Sequence, residues 1–397
     1  MLIYHFNLSK QGNNMQITKL SLVATLAISV AFAGGDIVPV EPVVVAPVVE
    51  AKSATTISGK GSLIYITNDA QSNGDMFSKE TSESAAAITL DVTHNIFDNV
   101  SANFSAIGFT TLGNVIGNGT DTWTGGFLDA QETGAYFNVA NLTATFADTT
   151  LIAGRQLLGT PMLQGYDWLI APGSFEAYTI ANKSIENLTF TASYVAKHRA
   201  NNSGSNFADL NGDNWTIGAT YNDNITANIW YYNIDTANYT QMYADAGYTF
   251  SGITIEGQYV TTSFDAGFGT DSSAFGAKIS TTLVGIDLSA AYNRFIDGNT
   301  GYVGWNGLYT NSWNTTIANQ YNGEDLDAFK IEASTTIAGI NALVSYADFD
   351  NGHELNVIVG YDITKAIDIS LIYSNTQSNT VNATDTGVLE FYANYKF

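Results

Sequence analysis

The residue types that catalysis usually needs are scattered in this chain of 397 residues. It has no cysteine, and three of its four histidines, His94, His198 and His353, fall in separate segments. No GxSxG sequence occurs, and no histidine is placed locally beside a serine or an aspartate as a nucleophile–base pair requires. We therefore expect no enzyme activity and no cofactor. A hydrolase would require His198 or His353 to meet such a partner in the folded chain.

Two clusters of oxygen-bearing side chains have the ligand type that calcium prefers. One contains Asp209, Asn211 and Asp213, and the other spans residues 348–352. Neither has the full pattern of a calcium loop, and aspartate, asparagine and glycine also make turns. The sequence favours turns here, and we predict no metal site.

Strands must position the other polar residues, and the last nine residues show this most clearly. Apolar or small residues alternate without a slip with residues that are mostly polar, giving a strand with one apolar and one wet face. The apolar positions are Leu389, Phe391, Ala393, Tyr395 and Phe397, and the others are Glu390, Tyr392, Asn394 and Lys396.

Similar alternation recurs from Thr55 onward in segments of roughly ten residues. Tight turns such as 223–224, 251–252, 284–285 and 338–339 occupy every second gap, and longer gaps lie between them. The longer gaps are 68–83, 111–130, 157–175, 200–213, 264–272 and 297–325. Strands are predicted at 56–67, 84–94, 99–110, 131–146, 149–156, 176–182, 188–199, 214–222, 225–234, 239–250, 253–263, 273–283, 285–296, 326–337, 340–349, 353–363, 367–376 and 386–397.

This pattern is typical of a membrane barrel. Charged residues make up 13% of the chain, about half the usual share, while 36 glycines, 22 tyrosines and 21 phenylalanines suit tight turns and aromatic girdles. We predict an all-β fold: a transmembrane antiparallel up-and-down β-barrel of about 18 strands, with short periplasmic turns and long external loops. A soluble all-β sandwich or propeller would not show the alternation of short and long gaps.

The face opposite the apolar one should line an aqueous lumen, because a charge facing lipid costs roughly 2–4 kcal/mol at the midplane. At this strand number side chains cannot fill the interior. The charged residues predicted to face the lumen are Lys60, Asp91, Asp245, Glu256, Lys278, Asp287, Lys330, Glu332, Glu354, Asp368 and Glu390.

One long gap, residues 157–175, is far more apolar than an external loop should be. We expect it to fold back, either against the inner wall or against a neighbouring subunit. If it folds inward it narrows the pore, and opposed charges would set the field and size limit there. The residues predicted at this constriction are Arg155, Asp167, Glu176, Lys183, Lys197 and Arg199.

The same region resembles a known family. Residues 151–156 (LIAGRQ), followed by Thr160-Pro161, Asp167 and residues 172–176 (PGSFE), are similar to the Opr family of outer-membrane porins, related to OprD-type channels. The resemblance implies a barrel of about eighteen strands, passive uptake of small solutes and a homotrimer. It also implies that the closing strand, through Leu389, Phe391, Tyr395 and Phe397, is the signal read by the barrel-assembly machinery, in a membrane of lipid and lipopolysaccharide.

The chain departs from OprD-type channels in one respect. Those channels line the pore with a ladder of arginines, whereas this sequence has only Arg155, Arg199 and Arg294. The departure argues against a channel selective for carboxylates.

The N-terminus predicts export. Residues 20–33 are an apolar stretch after Lys19, ending in a small-x-small site, which is typical of a secretory signal peptide and is short for a membrane anchor. We predict a signal peptide at 1–33, for which Met15 is a better start than Met1, a Pro/Val-rich periplasmic linker at 34–54, and the barrel at 55–397. Cleavage removes Lys10 and Lys19, which takes the net charge from −23 to −25.

These features predict a non-enzymatic outer-membrane porin that passes small hydrophilic solutes and ions and prefers cations. Its acidity argues against nucleic acid as a partner, which needs basic patches. Two alternatives stay open at this point: a substrate-specific OprD-like channel, and a non-conducting adhesin or structural barrel whose long loops, 111–130 and 297–325, would carry binding.

Overall fold

Eighteen long antiparallel strands make up the barrel wall of the computed structural model. The structure describes residues 54–69, 75–112, 133–165, 169–201, 206–319, 325–350, 352–378 and 386–397. The predicted signal peptide, all of the predicted linker except Ala54, and Asp167 therefore lie outside the described residues. The strands are β1 (Thr55–Asn68), β2 (Ser82–Phe97), β3 (Val100–Thr111), β4 (Gly134–Phe146), β5 (Thr149–Gln156), β6 (Ser174–Ile185), β7 (Leu188–Arg199), β8 (Asn214–Asn222), β9 (Ile225–Ile234), β10 (Tyr239–Phe250), β11 (Ile253–Phe264), β12 (Ser272–Leu283), β13 (Ile286–Ile296), β14 (Leu326–Ile337), β15 (Ile340–Phe349), β16 (Gly352–Asp362), β17 (Ile367–Ser378) and β18 (Thr386–Lys396).

Each strand pairs with its neighbours in sequence, and β18 pairs with β1 to close the barrel. The last residue takes part in the closure: the Gly59 amide donates to the Phe397 carbonyl at 2.9 Å, and the Phe397 amide donates to the Gly59 carbonyl at 3.1 Å. A side chain at position 59 would collide with the Phe397 ring, since a Cβ there would lie 2.3 Å from it. The predicted fold class is confirmed.

The two faces of the wall have opposite character. On β11, Ile255 and Tyr259 are about half exposed on the outer face, whereas Glu256 and Val260 are buried on the inner face. Glu390 on β18 is fully buried, whereas Phe397, the residue after the strand, is 52% exposed. An exposed apolar outer face on every side of a closed barrel is stable only in lipid.

Aromatic side chains are concentrated near both ends of the outer face. The outer face near the short turns carries exposed rings at Phe97, Phe146, Tyr248, Phe250, Tyr361 and Phe397, and the outer face near the long connections carries them at Phe137, Tyr178, Tyr194, Tyr259, Phe275, Phe329 and Tyr346. On β11, Tyr259 lies six residues, about 20 Å, beyond Ile253, the partner of Phe250. These two girdles have the spacing of an apolar membrane band.

Three of the tight turns share one backbone conformation. Both central residues have positive φ in Ser251-Gly252 (49° and 80°), Val284-Gly285 (52° and 78°) and Ala338-Gly339 (52° and 83°). Turns of this kind match the right-handed twist of the flanking strands, and glycine at the second position adopts such φ values without steric cost. At the opposite end, two connections, 235–238 and 350–351, are shorter than the predicted alternation implies.

No α-helix occurs in the described ranges. The helical elements there are two short 3₁₀ turns, Asp235–Ala237 and Ile317–Asn319. None is long and apolar enough to cross a membrane.

The parity of the strands leads to a direct test. Ile331 lies in the middle of β14 on the outer face and is 61% exposed, so Ile331→Lys should destabilise the barrel in lipid by about 2–4 kcal/mol. Ser289→Lys is the matched control, because Ser289 faces inward on β13 directly opposite Glu332. Urea unfolding in liposomes measures both; equal losses would contradict the assigned faces.

Candidate functional site

The connection between β5 and β6 spans residues 157–173; its described parts, 157–165 and 169–173, pack against the inner face of the barrel. We call it the first inserted connection. Leu158, Met162 and Leu163 are at most 1% exposed and belong to one apolar cluster with inward residues of β9 to β15. The Met162 amide donates to the Tyr232 hydroxyl at 3.2 Å. The apolar composition of this connection is thus satisfied by the chain's own inner wall.

Residues 297–319, the described part of the connection that leaves β13, also pack inside the barrel. We call them the second inserted connection. Trp305, Leu308, Trp313 and Ile317 are each at most 9% exposed. We expected 297–325 to be an external loop, and that expectation is wrong for its described part, residues 297–319. Its apolar residues indicated that it folds inward. We applied this criterion, an apolar composition unsuited to an external loop, only to residues 157–175.

The two inserted connections meet each other inside the barrel. Leu163–Gln164 and Val303–Gly304 pair as a short parallel ladder, and the Trp305 amide donates to the Gln164 carbonyl at 3.0 Å. Gly304 has a φ of +75°, and a side chain there would collide with the Gln164 carbonyl. The connections therefore form one plug-like unit that narrows the interior on the side of the long connections.

The second inserted connection is fixed internally by Asn311. Its side-chain oxygen accepts from the Ile317 amide at 3.0 Å, and its side-chain nitrogen donates to Asn306. Its carbonyl accepts from the ammonium of Lys330 on β14 at 3.0 Å. A connection with this many specific bonds holds one conformation against the wall.

Two carboxylates of the wall, on β16 and β18, also bind the second inserted connection. The indole of Trp313 donates to Glu390 Oε1 at 2.6 Å, and the amide of Asn314 donates to Glu354 Oε1 at 2.8 Å. Tyr392 donates to the other oxygen of Glu390. Glu354 and Glu390 face inward as the alternation predicts, but both are covered by the connection and are 0% exposed.

The other predicted lumen charges lie on the inner face at several levels, and many are paired. Lys278 contacts Glu256 at 3.0 Å, Lys330 contacts Glu332 at 3.0 Å, and Lys396 contacts Asp368 at 2.7 Å. Asn228 donates to both oxygens of Asp245 at 3.0 and 3.1 Å, and Thr282 donates to Asp287 at 2.6 Å. Lys60 and Asp91 share the inner face with their cross-strand neighbours on β1, β2 and β18.

Nearer the short turns the inner face is polar and less crowded. Asn103 donates to Asn141 at 3.0 Å and to Thr143 at 3.1 Å, and Ser62 donates to Asn394 at 2.8 Å. These side chains are partly exposed, unlike those beneath the inserted connections. The interior therefore has one half filled by the inserted connections and one hydrophilic half.

The residues predicted at the constriction separate into several sites. Arg155 and Glu176 are directly opposite on β5 and β6, with Nε and Oε2 3.9 Å apart. Lys197 is opposite Glu176 across a β-bulge and contacts Asp209 at 3.2 Å. Arg155 also lies over the ring of Phe207 at 4.0 Å. These charges form a partly exposed network at one end of neighbouring strands.

Arg199 is placed differently from the prediction. It is 0% exposed, donates to the carbonyls of Ala171 and Pro172 at 3.1 and 3.0 Å, and lies over the Tyr136 ring at 4.2 Å. Its role in this structure is to anchor the end of the first inserted connection. A guanidinium with its donors used in this way does not line an open passage.

Lys183 does not belong with the other predicted constriction residues. It lies near the short-turn end of β6, where its amide donates to the Asp148 carbonyl at 2.8 Å. Seven residues separate it from Glu176, about 23 Å along the strand. The prediction that Lys183 lies at the constriction is therefore wrong. It relied on how close Lys183 is to residues 157–175 in the sequence and did not account for the length of β6.

One charged cluster was missed by the sequence argument. Arg294 on β13 contacts Asp327 at 2.9 Å and Asp325 at 3.0 Å. The aspartates follow the second inserted connection and pair with Arg294 because β13 and β14 are neighbours. The signal was a lone arginine at the end of one strand and two aspartates at the start of the next.

The two acidic clusters that resembled calcium loops make other contacts. Asp209 contacts Lys197, the Asp213 amide donates to Asp235 at 2.8 Å, and Asp350 accepts from the Asp327 amide at 2.8 Å. Within the described part of the chain no group of three or more histidine, aspartate or glutamate side chains has the geometry of a metal site.

Sequence comparison identifies one family. A family model described as outer membrane porin, OprD family, matches residues 117–366, which is more than half of the chain. A search of curated protein sequences found no match to this chain.

Solved structures share the fold at low sequence identity. Pseudomonas aeruginosa OpdK, solved with vanillate, has a TM-score of 0.72 and 14% identity, covering 86% of this chain and 98% of that one. Acinetobacter baumannii OccAB1 has a TM-score of 0.71 and 15% identity over 87% and 97% of the two chains. Pseudomonas aeruginosa OccK9 (OpdG) has a TM-score of 0.71 and 17% identity over 86% and 98%.

The packing of the first inserted connection predicts a change in conductance. Deleting residues 160–172 removes Met162 and Leu163 from the interior and should raise the single-channel conductance in planar bilayers. Deleting residues 266–269, an exposed segment between β11 and β12, is the control and should leave the conductance unchanged. Equal conductance in all three proteins would place the first inserted connection outside the conducting path.

Proposed function

Because this chain belongs to the OprD family of outer-membrane porins, we propose that it forms a water-filled channel in which small hydrophilic solutes and ions diffuse passively and cations are preferred. The family and the closed barrel place the chain in the outer membrane. The porin role follows from the family; the cation preference is our proposal and depends on the charges of the inner wall.

The observation that carries the preference is the excess of carboxylates on the inner face. Eight carboxylates face inward among the predicted lumen residues, Asp91, Asp245, Glu256, Asp287, Glu332, Glu354, Asp368 and Glu390, against four lysines, Lys60, Lys278, Lys330 and Lys396. Three of these lysines are held in salt bridges with three of the acids. Glu354 and Glu390 are covered by the second inserted connection, which leaves Asp91, Asp245 and Asp287 against Lys60. The inner face is still acidic, which favours entry of cations and disfavours anions.

The arginines do not offset this field. Arg199 is buried under carbonyls, Arg294 lies between two aspartates, and Arg155 is opposite Glu176. A carboxylate solute needs donors that are available to it, and bidentate arginines are the most effective. These contacts support a channel that disfavours carboxylate solutes.

A substrate-specific channel is the second candidate. It is favoured by the two inserted connections, because a plug held by specific hydrogen bonds defines a passage of fixed shape. The solved OpdK contains vanillate, an aromatic carboxylate. If this chain is specific, its wall charges favour a cationic or neutral solute.

The reversal potential under a salt gradient tests the ion preference. In planar bilayers with KCl at different concentrations on the two sides, we expect the sign of a cation-selective channel. Asp287→Lys adds a positive charge to the inner wall and should lower the cation-to-anion permeability ratio, whereas Asp265→Lys, in an exposed connection, should change it little. An anion-selective sign in the unmodified protein would exclude the preference.

Liposome swelling tests the discrimination between solutes. Vesicles containing the protein should admit a cationic amino acid such as arginine faster than an aromatic carboxylate of similar size, because the wall repels anions and the arginines are occupied. Neutral sugars of graded size serve as the reference for the size limit. Faster entry of the carboxylate would favour the carboxylate-specific alternative.

A further inference from the structure

Four polar side chains form two adjacent cross-strand pairs on the inner face of β16 and β17. Glu354 is opposite Thr376, and Asn356 is opposite Ser374. Glu354 and Ser374 are 0% exposed and Asn356 is 1% exposed. Directly opposite side chains on one face have Cβ atoms about 4.5–5.5 Å apart, so the four groups form one compact buried patch.

One oxygen of each residue lacks a hydrogen bond of good geometry within the described part of the chain: Glu354 Oε2, Asn356 Oδ1, Ser374 Oγ and Thr376 Oγ1. The side chains of Thr315, Asn356 and Thr376 nevertheless approach the Glu354 carboxylate as hydrogen-bond donors. The other polar atoms of two of them are used. Glu354 Oε1 accepts from the Asn314 amide at 2.8 Å, and the Asn356 amide group donates to Ser345 Oγ at 3.3 Å. Glu354 and Asn356 therefore each keep one further oxygen that can accept a hydrogen bond or bind an ion.

The second inserted connection covers this patch. Asn314 is bonded to Glu354 through its backbone, and neither the oxygen nor the nitrogen of its side-chain amide has a partner among the described residues. The same holds for the hydroxyl of Ser312, which is 3% exposed. The wall and its cover thus present as many as six oxygens in one buried region.

No lysine or arginine of the described ranges forms a salt bridge with Glu354. The salt bridges found in the described ranges join lysines and arginines to other acids. The neighbouring carboxylate, Glu390, is also fully buried and is held by the neutral donors Trp313 and Tyr392. A buried carboxylate is costly unless it is protonated or paired, and a bound cation is one group that would pair with Glu354.

We propose that the oxygens of Glu354, Asn356, Ser374 and Thr376 bind one monovalent cation, such as potassium, beneath the second inserted connection. One carboxylate with neutral amide and hydroxyl oxygens supplies a single negative charge, whereas calcium sites rely on several carboxylates. The bound ion neutralises Glu354 and joins the cover to the wall. The site is structural, and it does not rest on the cation preference of the channel.

Anomalous diffraction with thallium(I), which substitutes for potassium, tests the site. Crystals of the full-length mature protein soaked in a thallium salt should show an anomalous peak bounded by the four oxygens. Glu354→Gln should abolish the peak, and Asp91→Asn, which removes one inner-wall charge on β2, should leave it in place. Absence of the peak in the unmodified protein, or its persistence in Glu354→Gln, would overturn the proposal, and water or a protonated Glu354 would then account for the patch.

A second measurement covers the case in which Glu354→Gln does not fold. An ion that binds the folded state raises the melting temperature by mass action, so the protein should melt at a higher temperature in KCl than in tetramethylammonium chloride at equal concentration. Ser374→Ala, which removes one neutral ligand, should reduce that difference. Equal melting temperatures in the two salts for the unmodified protein would contradict the site. An anion-selective reversal potential would exclude the channel preference without affecting this site.

Discussion

The need to satisfy every backbone hydrogen bond inside lipid is the constraint on which the rest of this structure depends. Lipid offers no partner for a free N–H or C=O group, so a sheet that crosses the membrane must close on itself. Here the closure is the pairing of β18 with β1, which continues to the last residue through Gly59 and Phe397. Closure fixes the register of all eighteen strands, and with it which side chains face lipid and which face inward.

The interior created by closure is then divided by two inserted connections. They pair with each other and use inward residues from β9 to β18 as partners, including Tyr232, Lys330 and Glu390. Their apolar side chains pack against apolar inward residues of the wall, so the plug is stable without an added domain. The channel is therefore shaped by the same chain that builds the barrel.

The charges of the wall have two kinds of neighbours. Some are in salt bridges within the wall, such as Lys278 with Glu256, and some hold the plug, such as Glu354 and Glu390. Acids outnumber lysines on this face, and the few arginines are engaged by carbonyls or carboxylates. The function that we propose and the cation site beneath the plug both arise from this acidic, nearly arginine-free interior.

The sequence by itself determined the strands, the inward and outward faces and the tight turns, because alternation and glycine at positive φ are local properties. It also indicated that residues 157–175 fold back. Only the tertiary structure decided which strand ends come together, so it separated Lys183 from Arg155, buried Arg199, and paired Arg294 with Asp327. It also decided where residues 297–319 pack inside, with contacts to Glu354 and Glu390 that join positions 40 and 77 residues apart. Such contacts depend on the closed barrel, and no local pattern in the sequence encodes them.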